Sequence, residues 1–326
     1  MRPLHPRHGI HEPTTGTPPR RPGSVRRTST VDMLRPDGLL GRVVVDARAR
    51  DVRTGADGDV EVRAMTSLDA EIDFTGGWTL RRIASDPAEP RLESLVGDTV
   101  GSGFRRRVQA ALPDQYEQAT RLHLLLDDFP VATLVSGYAL GAGGIHPTEE
   151  ALERRTTADL CSGWRSGGTI MVGIERDRLI PVVTGPEAPS LDADPDAWHS
   201  RPPLTAHAVR RARRLDVWSA GGVIEVDSLY RDSHVDPEGG ETVIHEYTLR
   251  GQVDPVDFTI RAMVATPRVL PWVECPAAAA SASRLVGQDV RTVRPLVRAE
   301  FIGISTCTHL NDQMRALADL PTIFTL

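Results

Sequence analysis

Two short segments carry residue types suited to proton transfer. The first runs Tyr230-Arg-Asp-Ser-His-Val235, then Asp-Pro-Glu-Gly-Gly, then Thr242-Val-Ile-His-Glu-Tyr247, which reads as two strands joined by a turn. Alternate residues of a strand share a face, so Tyr230, Asp232 and His234 point the same way. If Val235 pairs with Thr242, Asp232 falls opposite His245 and Tyr230 opposite Tyr247. A slip of one residue puts Glu246 there instead. A carboxylate facing an imidazole fixes its tautomer and raises its basicity, which is what a general base needs. The plainer alternative is a solvated hairpin face whose charges pair for solubility.

The second segment is Thr306-Cys-Thr-His-Leu-Asn-Asp312. Ser305, Thr306 or Thr308 can cap a helix that places His309 in its first turns. There the helix dipole favours a neutral imidazole, and a thiolate at Cys307. Asp312 and Gln313, three and four residues on, are within reach of His309. Such a group serves as a general base, a nucleophile pair or half a metal site; equally it serves as a buried capping cluster, with the cysteine a small core residue. His234, His245, His309 and Cys307 with an acid suit zinc or iron. Neither HExxH nor CxxC spacing is present, so no metal and no cofactor is expected.

The leading expectation is therefore a cofactor-independent acid/base enzyme, of lyase, hydratase or isomerase type, on a small apolar or acyl-type substrate. His245 acts as base with Asp232 orienting it, His309 as a second acid/base, and Tyr230 or Tyr247 as proton donor to a developing oxyanion. A metal-dependent hydrolase or oxygenase built on the same histidines is one alternative. A non-catalytic ligand-binding or assembly protein is another.

These residues need a scaffold, and the chain repeats itself in supplying one. Arg26-Arg27, Gly38 to Asp46, Asp59 to Thr66, Trp78-Thr-Leu-Arg81 and Leu95-Val-Gly97 return in order. Their counterparts are Arg213-Arg214, Gly222 to Asp227, Glu241 to Thr248, Phe258-Thr-Ile-Arg261 and Leu285-Val-Gly287. Each series reaches a Thr and, three residues later, a His-Leu pair, at His123 and at His309. Short β-rich runs with Asp-Gly, Gly-Gly and Pro turns indicate an antiparallel meander followed by helix. The fold class is α+β: two diverged repeats, packed as a pseudo-twofold barrel or sandwich. Residues 1–25, rich in Pro, Arg and His, read as a disordered basic tail. Residues 26–182 form the first, degenerate repeat with a helical, Gly-rich extension, 183–206 a Pro- and Asp-rich linker, and 207–326 the second repeat, which carries the candidate site.

Composition removes whole reaction classes. The 326 residues include 38 basic ones, all arginine. Without lysine there is no P-loop, no kinase strand lysine and no Schiff base. Such usage fits a GC-rich bacterial genome. The Arg-rich runs 105–107 and 210–214 read as solvated faces, with an anion site the alternative. Net charge of -6 gives no surface for nucleic acid or anionic membrane. Three widely spaced cysteines suit a reducing cytoplasm, and neither a signal peptide nor an apolar run of spanning length is seen. A small-molecule substrate is the expected partner, with a homodimer possible.

Arg35-Pro-Asp-Gly-Leu39, Cys275-Pro276, Leu285-Val-Gly287 and Cys307-Thr-His-Leu310 resemble the pattern of a bacterial domain-of-unknown-function family that closes on C-T-H-L. The hairpin motifs Arg231-Asp-Ser-His234 and Ile244-His-Glu-Tyr247 are similar to its actinobacterial members. The resemblance covers most of 206–320 and, more weakly, 26–140. It implies no activity. The first half departs from the pattern: Arg121 stands for the cysteine, Arg63 for His245, and no Cys-Pro occurs.

Overall fold

The β-branched runs form eight antiparallel strands: β1 (Ser24–Leu34), β2 (Val43–Thr54), β3 (Val60–Asp73), β4 (Thr79–Asp86), β5 (Val209–Ala220), β6 (Val223–Val235), β7 (Glu241–Val253) and β8 (Ile260–Val269). The structure is a computed structural model and describes residues 9–146, 148, 158–192 and 194–326. All eight strands belong to one sheet of order β4-β3-β2-β1-β5-β6-β7-β8. The two meanders thus join edge to edge, β1 to β5, rather than stacking as the two layers of a sandwich.

Helices cover one face. On the β1–β4 side lie α1 (Phe104–Ala111), α2 (Pro113–Glu117), α3 (Arg121–Ser136) and α4 (Tyr138–Ala142). On the β5–β8 side lie α5 (Thr169–Asp177), α6 (Val293–Glu300), α7 (Thr308–Ala316) and α8 (Leu320–Phe324). Each half encloses its own apolar core, Leu68, Leu80, Phe104 and Phe129 in one and Val226, Leu249, Leu285 and Leu310 in the other. The alternation of β2 and β6 explains this, since every second residue faces helix. Arg121–Ala142 is long and apolar enough to cross a membrane, but 61 % of its most apolar 18-residue stretch is buried and its two aspartates are ion-paired, so it is a core helix.

The halves match in detail. Trp78 and Phe258 both take a left-handed backbone conformation, φ 60 and 61. Gly97 N–H donates to Leu80 O as Gly287 N–H does to Ile260 O, 2.8 Å each. Bulges interrupt β2/β3 after Asp51 and β6/β7 after Asp232. Arg27 grips Asp51 through two nitrogens, as Arg211 grips Asp232. In this register Arg26-Arg27 corresponds to Arg210-Arg211, not to Arg213-Arg214 as the sequence comparison had it. Ala64, not Arg63, stands opposite Asp51 where His245 stands opposite Asp232.

The opposite face of the sheet is closed by the segments expected to be a disordered tail and a linker. Glu12 N–H donates to Arg268 O, Thr14 N–H to Glu246, and the Thr17 hydroxyl to Leu191 O, so residues 9–23 are fastened to the fold. Residues 1–8 of the expected tail lie outside the described residues. The expected linker buries Leu191, Ala197, Trp198 and His199, and its 186–188 stretch lines the edge of β7 through Val243 N–H to Pro186 O and Ala188 N–H to Glu241 O. The physical reason is that polar backbone can be bound by a sheet edge whatever the side-chain periodicity.

Candidate active site

β1 and β5 are central strands, buried on both faces, so their arginines need partners. Arg211 and Arg213 point to the helical face. Arg211 (1 % side-chain exposure) reaches both oxygens of Asp232 at 3.0 and 3.2 Å, Tyr230 Oη at 2.9 Å and Asp312 at 3.3 Å. Arg213 holds Asp128 at 2.5 Å through two nitrogens. Arg105 and Arg315 complete the network on Asp312 and Asp127. Four guanidinium groups thus face four carboxylates, and the cluster is electrically balanced.

On this base sit two histidines. His245 and His309 stack with ring centroids 3.7 Å apart at an interplanar angle of 23°. His245 Nδ1 lies 3.4 Å from Asp232 Oδ2, and His309 Nδ1 lies 3.7 Å from the same oxygen. His309 Nδ1 also lies 3.2 Å from Tyr230 Oη. The Tyr230 hydroxyl donates to Asp232 and accepts from Arg211, so His309 Nδ1 meets an oxygen whose proton is already committed. Burial, and then the stacked His245, pushes the His309 imidazole well below its ordinary range. Burial acts against the charge on Asp232, but Arg211 and the two imidazoles hold it ionised, below the usual carboxylate range. Burial and the Asp232 charge keep the Tyr230 phenol protonated.

Asp232 and His245 are therefore opposite one another, and Tyr230 opposite Tyr247, as expected. The route is different: Val235 pairs with Glu241 and His234 with Thr242, and a bulge at Ile244 restores the pairing. His234 does not join the pair. It is buried against the Tyr138 ring, 5.0 Å centroid to centroid.

The helix α7 begins at Thr308 with Cys307 as N-cap. The expected thiolate at Cys307 is not favoured, because burial pushes this thiol up to about 11 and outweighs the helix terminus. Tyr247 is fully buried with its hydroxyl among the thiols of Cys307, Cys275 and Cys161. Asp312 and Gln313 do not hold His309; they bind Arg105 and Arg211, and Ser228.

The arginines were missed because runs 105–107 and 210–214 read as solvated faces. Arg210, Arg211, Arg213 and Arg214 are all buried, because β5 is central. One signal was present: Asp127-Asp128 interrupts the apolar Leu122-His-Leu-Leu-Leu-Asp-Asp-Phe-Pro-Val131 stretch, and buried carboxylates require cations.

In the first half the same carboxylate is closed off. Asp51 takes Arg27 through two oxygens and Arg121 at 2.6 Å. A permanent guanidinium stands where the second half places titratable imidazoles.

The model of a family described as "Protein of unknown function (DUF2889)" matches residues 209–322, so the segment from β5 to α8 belongs to a domain-of-unknown-function family. That segment contains Arg211, Tyr230, Asp232, His245 and His309. No curated protein and no solved structure matches the chain.

Proposed function

We propose that the chain is a cofactor-independent acid/base enzyme of lyase, hydratase or isomerase type, acting on a small apolar or acyl-type substrate. The observation that carries this reading is the His245–His309 stack on a carboxylate whose charge Arg211 already balances. Two imidazoles 3.7 Å apart resist holding two charges, so one accepts a proton while the other releases one. Tyr230, which donates its own hydroxyl hydrogen bond to Asp232, takes a hydrogen bond from His309 Nδ1–H and leaves Nε2 as the basic atom. Tyr230 itself has no exposure and is a positioning residue, not the proton donor to substrate.

The matching bulges, the paired Arg–Asp grips and the matching Gly97 and Gly287 hydrogen bonds support descent of both halves from one duplicated unit. Under that reading the first half keeps the scaffold and His123, the counterpart of His309, and has Ala64 at the place of His245. A cytoplasmic location suits three unpaired thiols.

The test is a screen of small acyl-type substrates for hydration, dehydration or isomerisation, read by solvent deuterium incorporation. His309→Gln and His245→Gln should each lower turnover by roughly 10²–10⁴. Unchanged turnover in both variants would overturn the assignment.

A second reading rests on one measurement. One ligand atom each from Asp232, His245 and His309 lie within 4.8 Å of one another, a set that suits a divalent cation. Against it, Asp232 already binds Arg211 and Tyr230 and the surrounding network is neutral, so little net negative charge is left to hold a cation. Stoichiometric metal in the purified protein, lost on His245→Gln, would favour this second reading.

A further inference from the structure

On the face of the sheet opposite the histidines, residues 188–192 and 194–204 arch over β2, β5 and β6 and bound an open cavity of about 850 Å³, a size typical of small-molecule sites. Arg50, Trp198, His199, Arg201, Arg210 and Arg231 are among its lining residues. Three of these arginines are matched: Arg210 by Asp32 at 2.6 Å, Arg231 by Glu246 at 2.6 Å, and Arg201 by Asp192. The carboxylates of the lining are also taken, Asp192 by Arg201, Asp194 by Arg20 at 2.7 Å, and Glu241 by the Ser233 hydroxyl at 2.5 Å.

Arg50 is the exception. It is 7 % exposed, forms no ion pair among the described residues, and donates from one nitrogen to Asp196 O at 2.7 Å while its buried Nε has no partner. Asp194 and Asp196 attract it only from beyond ion-pair distance. A buried guanidinium without a counter-charge is costly. Burial lowers it from its ordinary value. His199, pinned between the hydroxyls of Thr28 and Thr30 at 2.9 Å each, is pushed down to about 3 by burial and then by Arg50, Arg201 and Arg210. The cavity thus holds one planar donor fork that no carboxylate occupies among the described residues.

We propose that this cavity binds a small oxyanion-bearing molecule, a carboxylate or a phosphate ester, with Arg50 as its charge anchor. The fork geometry of a guanidinium suits either group, and the site is separate from His245 and His309, which lie across the sheet.

Isothermal titration of the full chain with succinate and, separately, with pyrophosphate tests this and tells the two chemistries apart. One of the two should bind with a dissociation constant below about 1 mM. Arg50→Gln should weaken that binding roughly tenfold or more, whereas His309→Gln and Arg250→Gln should leave it unchanged. The thermal midpoint of Arg50→Gln without ligand should equal or exceed that of the parent, because the variant removes an uncompensated buried charge. Arg50→Lys, which keeps the charge and loses the fork, should bind with intermediate strength. No binding of either probe up to about 10 mM, or equal binding by Arg50→Gln, would overturn the proposal.

Discussion

Arg211→Leu should destabilise the protein by about 3–5 kcal/mol, the range for stripping the partner from a buried charge. The structure says why the cost concentrates on one residue. Asp128 would keep Arg213 and Asp312 would keep Arg105, but Asp232, with no side-chain exposure, has no other guanidinium partner among the described residues. Leucine fills part of the volume and supplies neither the charge nor the donor to Tyr230 Oη. Against a total stability of about 5–15 kcal/mol, such a loss is roughly a fifth or more. Arg250→Leu is the control: its side chain is 81 % exposed beside Asp227, and its loss should cost about 0–1 kcal/mol. The double variant Arg211→Leu/Asp232→Leu should recover at least about 2 kcal/mol relative to the sum of the single changes, since the orphaned carboxylate is then gone. Urea unfolding with an unchanged denaturant slope measures the parent, the two single variants Arg211→Leu and Asp232→Leu, their double variant and the Arg250→Leu control. A loss below about 1 kcal/mol in Arg211→Leu, or additive single and double variants, would refute the idea that Asp232 depends on this cation.

Three further expectations concern pH, packing and the site. His123 is held down to about 4 by burial, below the ordinary value of about 6.5, so between these pH values the unfolded chain binds a proton that the folded one refuses. Its contribution is present above pH 6.5 and lost as pH falls towards 4; His123→Gln should flatten the stability profile there by up to about 1.4 kcal/mol per pH unit, and an unchanged slope would count against it. Gly185→Ala would place a Cβ 1.7 Å from Val243 O, which should detach residues 183–188 from the β7 edge and open that stretch to proteolysis; equal cleavage rates would show the stretch is not held there. Tyr230→Phe should lower turnover about tenfold or more and shift the acidic limb of its pH profile, because His309 Nδ1 loses its anchor while Nε2 stays in place. A unaltered profile with only a lower thermal midpoint would reduce Tyr230 to a packing role.

Local pattern carried the strands and the meander, because a period of two with Gly and Asp-Gly turns is a property of adjacent residues. It also brought Asp232 opposite His245. Here the correct pairing came from a hairpin whose turn end was misjudged by one residue, and the bulge at Ile244 corrected it. Bulges leave almost no trace in residue type, so sequence alone could not place the shift that sets His234 opposite Thr242.

The sequence by itself determined which groups exist: no lysine, ten histidines of which two follow strand and helix signals late in the chain, and arginines that must each find an acceptor. Only the tertiary structure decided which of them meet. The join of β1 to β5 turned two sheets into one and made Arg210 to Arg214 interior, since burial on both faces is a consequence of position in the sheet and not of the residues in the strand. The same join set α3 of the first half beside α7 of the second, so that Asp127 and Asp128 share one charge network with Asp232 and Asp312. Contacts of this kind link residues far apart along the chain, where no periodicity can register them. The stack of His245 on His309 is one such contact.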